Sequence, residues 1–146
     1  MEFHYQDPFP ILKDDTQYKK LSSEYVKTEQ LGDREILIVD PKALELLSEN
    51  ALADVSFMLR SSHLEKLRKI IDDPEATDND RFVAYNLLQN AAVAIEGALP
   101  SCQDTGTAIC VAKKGENVYT GAIDAEWISK GIYNTYQDRN LRYSQI

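Results

Sequence analysis

The sequence is short of cysteine, of histidine and of long apolar runs. Its 146 residues include two cysteines, Cys102 and Cys110, and two histidines, His4 and His63. Two thiols cannot build a thiolate cage for a metal within one chain, and two histidines do little to complete one. If Cys102 binds a metal, its partner ligands come from elsewhere. No apolar run approaches the roughly 20 residues of a membrane-spanning helix. Residues 1–7 have neither the basic stretch nor the apolar stretch of a secretory signal. The expectation from these absences is a cytoplasmic protein with both thiols reduced. Positive charge is also in short supply, with 16 Lys and Arg against 24 Asp and Glu and a net charge of −8. An acidic surface repels phosphate backbones and anionic lipid, so neither nucleic acid nor a membrane surface is expected as a partner. A small anionic substrate would need a local cationic pocket. The chain has no internal repeat and no low-complexity tract. Lys113-Lys114-Gly115 reads as a turn, because no glycine-rich loop there runs into a helix to cradle a phosphate.

What is present is ordinary for a globular protein: 43% hydrophobic and 27% charged residues, in a length that suits about one domain. Residues 1–17 are broken by Pro8 and Pro10 and read as an extended arm laid on a surface. Residues 18–28 are a weak strand candidate and residues 34–39, with Ile36-Leu37-Ile38-Val39, a better one; a turn at residues 30–33 joins them as a hairpin. Asp40-Pro41 then opens a helix, Asp40 as its cap, with Leu44, Leu47, Ala51, Val55 and Met58 on one face. A second helix starts at Ser62, which has Glu65 at capping-box spacing, carries Leu64, Leu67 and Ile71, and stops at Asp72-Asp73-Pro74. A third runs from Thr77, boxed with Asp80, to about Glu96, with Ala84, Leu87, Leu88, Ala91 and Ile95 as its buried face. Residues 107–112 read as a buried strand with Cys110 in its core, returning through residues 117–120 as a second, antiparallel hairpin. Asp124 caps a last helix carrying Ile128, Ile132 and Tyr136. The expected class is α+β: an N-terminal hairpin, a layer of about three helices, a small antiparallel hairpin and a final helix. No internal boundary divides residues 1–146. The last residues are neither charged nor tail-like, which gives the expectation of a piece cut from a larger domain.

The stretch Leu99-Pro100-Ser101-Cys102-Gln103-Asp104-Thr105-Gly106-Thr107-Ala108 joins a long helix to a strand. A lone cysteine in a turning, polar segment has three readings. It is a small buried hydrophobe, a nucleophile, or a ligand whose partners lie outside the segment. The nucleophile needs a base, and neither His4 nor His63 is near in sequence. Gln103 and Asp104 both accept hydrogen bonds and Gln103 also donates; equally, Asp104-Thr105-Gly106 suits a turn. Arg142, alone, reads as a surface arginine. His63 reads as exposed in a first helical turn, and Asp14-Asp15 and Asp72-Asp73 as solvated charges.

The same ten residues closely resemble the signature of the class I, iron–sulfur-dependent fumarate hydratases. So do Phe57-Met58-Leu59-Arg60, Asp73-Pro74-Glu75-Ala76, residues 79–84, 131–136 and 140–145, so that the resemblance spans nearly the whole chain. It implies the N-terminal part of a catalytic domain and the reversible hydration of fumarate to (S)-malate, a step of the tricarboxylic acid cycle. The family uses a 4Fe–4S cluster held by three cysteines, with one iron open as a Lewis acid. By resemblance Cys102 is the first cluster cysteine, Gln103 and Asp104 line the substrate pocket beside it, and Arg142 contacts a substrate carboxylate. Asp104 would also position water or pass a proton, or only fix the loop. The resemblance further implies a homodimer and a dicarboxylate substrate, and it puts the other two cysteines and the catalytic base beyond residue 146. The rival readings are a related iron–sulfur dehydratase acting on tartrate, a thiol-nucleophile enzyme, and a non-catalytic interaction module.

Overall fold

Ile36-Leu37-Ile38-Val39 is apolar and, Leu37 apart, β-branched, and it becomes the middle of the only sheet among the described residues, which are 3–7, 10, 17–101 and 107–141 of this computed structural model. Strand β1 (Val26–Leu31) pairs antiparallel with β2 (Arg34–Val39) from Val26↔Val39 to Leu31↔Arg34. The two-residue loop begins at Gly32, whose φ of +60° is a conformation only glycine adopts cheaply. The hairpin is the expected one, shifted: its first strand starts at Val26 rather than Tyr18, because the partner strand ends at Val39 and turns into a helix. A third strand, β3 (Val118–Tyr119), lies parallel to β2, with Leu37↔Val118 and Ile38↔Tyr119. The expected second hairpin does not form. The return segment takes the free edge of β2 instead, where the Leu37 N–H donates to the Asn117 carbonyl at 2.8 Å. Residues 107–112 stay outside the sheet, and Cys110, expected in a core, is exposed.

Helices α1 (Lys42–Phe57), α2 (Ser61–Asp72), α3 (Asp78–Ala94) and α4 (Asp124–Asp138) complete the α+β architecture, α1 packing on α4 and α2 on α3. Helix α1 starts where expected, but its cap residue is Pro41 rather than Asp40 and has no side-chain cap bond; the Asp40 carboxylate accepts from the N–H of Lys42, the first helical residue, at 2.9 Å. The face that α1 buries is not the expected apolar stripe. Leu47 is 55% and Val55 63% exposed, while Ser48, Ser56 and Phe57 are buried. Gly131 of α4 explains this: a Cβ there would run into the Ser48 hydroxyl and the Glu45 carbonyl, so the backbones meet too closely for leucines. Polar bonds finish the contact. Lys130 reaches Glu45 at 3.0 Å, Asn134 reaches Glu49 at 2.8 Å, and the Thr135 hydroxyl turns back to the Gly131 carbonyl at 2.9 Å.

Helix α2 carries Leu67 as its buried residue and ends at Asp72 as expected, but Ser62 and Glu65 form no box; Arg60 is the cap residue, without a side-chain bond. In α3 the box is complete. Thr77 Oγ1 accepts from the Asp80 N–H at 3.2 Å and the Asp80 carboxylate accepts from the Thr77 N–H at 2.9 Å. The end of α3 is marked by Gly97 at φ +78°; Ala94, not Ile95, is the buried residue there. Asp124 does not cap α4. Its carboxylate accepts from Lys114 at 2.7 Å and from the Thr120 hydroxyl, tying the helix start to residues on either side of β3.

Candidate functional site

Cys102, Gln103, Asp104 and Arg142 lie outside the described residues. What the structure does place is each point where the chain enters or leaves those segments. Ser101 is 3% exposed, and its N–H donates to the Ser56 carbonyl at 2.7 Å. Its hydroxyl donates to Asn90 Oδ1 on α3 at 3.4 Å, so the residue before Cys102 is fastened to both α1 and α3. On the far side of residues 102–106, Ala108 packs against a small core of Phe57, Tyr136 and Leu141. Leu141, the residue before Arg142, is 4% exposed in that core, and its N–H donates to the Tyr136 carbonyl at 3.1 Å.

Ser56 and Phe57 are consecutive in the last turn of α1. The entry to residue 102, the exit from residue 106 and the entry to residue 142 therefore all converge on one helical turn. Of that turn the sequence marks Phe57 by resemblance alone, at the head of Phe57-Met58-Leu59-Arg60, and Ser56 not at all. A serine beside a phenylalanine carries no periodic signal, and its role follows only from long-range contacts. Ser56 is fully buried, and its hydroxyl has no hydrogen-bond partner among the described residues.

Charge near the sheet is organised by local bonds. The carboxyl of Asp124 is held below its ordinary value of 3.8 by the bond from Lys114 and then that from Thr120. Asp80 is lowered in the same direction by the Thr77 hydroxyl and then the Thr77 backbone. Among the described residues no three His, Cys, Asp or Glu side chains come together as a metal site. A cluster held by three thiolates needs more cysteines than the two in this chain, and Cys110 is exposed on the segment after residue 106. The residues of this chain do not by themselves fit a complete iron–sulfur site.

Two helix pairs beside a three-stranded sheet, with three chain ends brought to one helical turn, define an α+β unit of the kind that offers side chains to a site from adjoining segments. The sequence model of the family described as fumarate hydratase (Fumerase) matches residues 45–146, and the chain belongs to that family. The chain is 52% identical to the aerobic class I fumarate hydratase of Escherichia coli strain K12 over 143 residues, covering 98% of this chain and 26% of that protein. It is 52% identical to the anaerobic class I fumarate hydratase of the same strain over the same shares of each chain. Fumarate hydratase 1, mitochondrial, of Leishmania major is 52% identical over 133 residues, 90% of this chain and 24% of that protein. The chain thus spans about a quarter of the length of the curated relatives it matches.

Proposed function

We propose that this chain is the N-terminal part of the catalytic domain of a class I fumarate hydratase, a hydro-lyase that reversibly hydrates fumarate to (S)-malate. The observation that carries the reading is the family match across residues 45–146, which includes the segment from Leu99 to Ala108 and runs through Arg142. In this reading Cys102 is one of three cysteine ligands of a 4Fe–4S cluster, the other two being supplied by polypeptide outside this chain. Arg142 grips a substrate carboxylate with its planar guanidinium, a bidentate contact that orients a flat diacid. Gln103 donates to the substrate. Asp104, accepting hydrogen bonds, positions water or receives a proton. The convergence of Ser101, Ala108 and Leu141 on the last turn of α1 supports a shared site for the segments that follow them. The full-length enzyme is read as cytoplasmic and homodimeric.

The test is turnover by a full-length protein containing this chain, with fumarate, malate and tartrate offered in parallel. Hydration of fumarate that is lost in Cys102→Ser is the expected result. Preference for tartrate would move the reading to a related dehydratase. Unchanged turnover in Cys102→Ser would leave this chain as a docking module without a part in the chemistry.

A further inference from the structure

Residues 107–112, Thr-Ala-Ile-Cys-Val-Ala, have the composition of a strand buried on both faces: half β-branched, almost wholly apolar and without alternation. In the structure they join no ladder among the described residues, and they leave Ile109 85% and Val111 63% exposed. Beside them is an open groove of about 370 Å³ whose walls include Ala51 and Val55 of α1 and Ile128 and Ile132 of α4. Ala51 and Val55, two of the five residues in the α1 stripe that the sequence marks for burial, line this groove. Two independent features, an unalternating apolar run and a helical stripe, are thus left open at the same place.

We propose that this groove and the exposed run of residues 108–111 receive a β-strand from the polypeptide that continues beyond residue 146 in a fumarate hydratase of full length. The inference rests on reading this chain as a piece of such an enzyme. The occupant follows from length: about three quarters of each matched relative lies outside the part that this chain covers. A strand from that remainder gains main-chain hydrogen bonds along residues 108–111, and its alternate apolar side chains fill the groove. The N-terminal arm is a weaker candidate. Its described residues touch this segment through the Asp7–Lys113 ion pair at 2.5 Å, at the far end from Ile109, and Phe3 and Tyr5 remain exposed.

Cys110 lines the groove and is exposed, so it reports on the cover. Its alkylation by iodoacetamide, followed by peptide mass spectrometry, is compared between this 146-residue chain and the full-length protein. The expected result is labelling in the short chain at nearly the rate seen in urea, and labelling slowed at least about 100-fold in the native full-length protein. Equal rates in the two native proteins overturn the proposal. Protection in the short chain that rises with its concentration overturns it in favour of a second copy; protection that vanishes on deleting residues 1–16 overturns it in favour of the arm. Val111→Asp is the companion variant, expected to lower the Tm of the full-length protein and leave that of the short chain unchanged. Fumarate turnover is measured on the same full-length sample. Turnover without protection of Cys110 sinks this inference alone, and protection without turnover sinks the functional reading alone.

Discussion

A buried hydroxyl with no partner is costly, because water no longer solvates it and no protein group replaces the water. Among the described residues Ser56 is in that position, on the turn that fastens Ser101 and, through Phe57, Leu141. Ser56→Ala in this chain keeps the backbone bond to Ser101 and removes the unpaired group. It should be neutral or stabilising by up to about 1 kcal/mol in urea denaturation; a loss of more than that would show that the hydroxyl is paired. Asp124 is the opposite case, a carboxylate whose bonds to Lys114 and Thr120 hold its pKa below 3.8. Its folded pKa is depressed, so the stability it contributes is present above 3.8 and is lost as pH falls through the lowered folded value. A Tm-against-pH series should therefore fall more steeply below pH 3.8 for the parent chain than for Asp124→Asn, and the two slopes should agree above it; parallel slopes throughout would remove the linkage. For Arg142 the functional reading makes a kinetic claim. Lysine keeps the charge but not the fork, so Arg142→Lys in the full-length enzyme should raise KM about 10- to 100-fold, matching the loss of roughly 1.5–3 kcal/mol of charge-assisted bonding. An unchanged KM would return Arg142 to the surface arginine that its sequence context alone suggests.

Between elements, the α1–α4 contact is decided by one glycine. Ala is normally the better helix former by about 1 kcal/mol. At position 131 its methyl group would overlap the Ser48 hydroxyl and the Glu45 backbone, so the helices must separate. Gly131→Ala should cost about 1–3 kcal/mol net of propensity, read as a lower urea midpoint. Gly131→Ala together with Ser48→Gly should recover part of the loss, and a single variant as stable as the parent would show that the helices are not in contact there. The same contact explains which elements were legible in the sequence. Short-range signals are legible in part: the Thr77–Asp80 box forms, α2 stops at Asp72 and α1 begins beside Asp40-Pro41, whereas Ser62 and Glu65, at the same spacing as Thr77 and Asp80, form no box. Features whose partners are distant are less legible still. Asp124 has the right position for a cap, yet its bonds go to Lys114 and Thr120. Leu47 and Val55 have the right period for burial, yet the helix they would face is held close by Gly131 and turned to meet serines. Residues 107–112 were read as a buried strand from their composition, and whether a strand is paired depends on which segments of chain are there to pair with it. The candidate site was visible only through family resemblance, because a single cysteine, a turn and a terminal arginine carry no local pattern that separates a ligand from an ordinary loop.

For the molecule as a whole, charge and ligand count point the same way. Fumarate is a dianion, and this chain carries a net charge of −8. Ion pairs among the described residues already engage Lys113 with Asp7, Lys114 with Asp124 and Lys130 with Glu45. Arg142 answers one carboxylate in the proposed reading, and the second needs a cation brought by other polypeptide. The proposed cluster has the same shortfall. That reading asks for three thiolates; two cysteines are present in this chain, and Cys110 is exposed beside an apolar groove, with no gathering of ligands around it among the described residues. Metal affinity falls steeply when ligands are missing, because each lost thiolate removes both a bond and the charge that balances the iron. The 146-residue chain, treated anaerobically with iron and sulfide, should therefore develop no visible cluster absorbance and hydrate no fumarate. Adding the remaining polypeptide of a full-length relative in trans should restore both, provided the groove along residues 108–111 is free to receive it. Absorbance and turnover from the short chain alone would mean that Cys102 needs no partners from outside, and the three-cysteine reading would have to be abandoned.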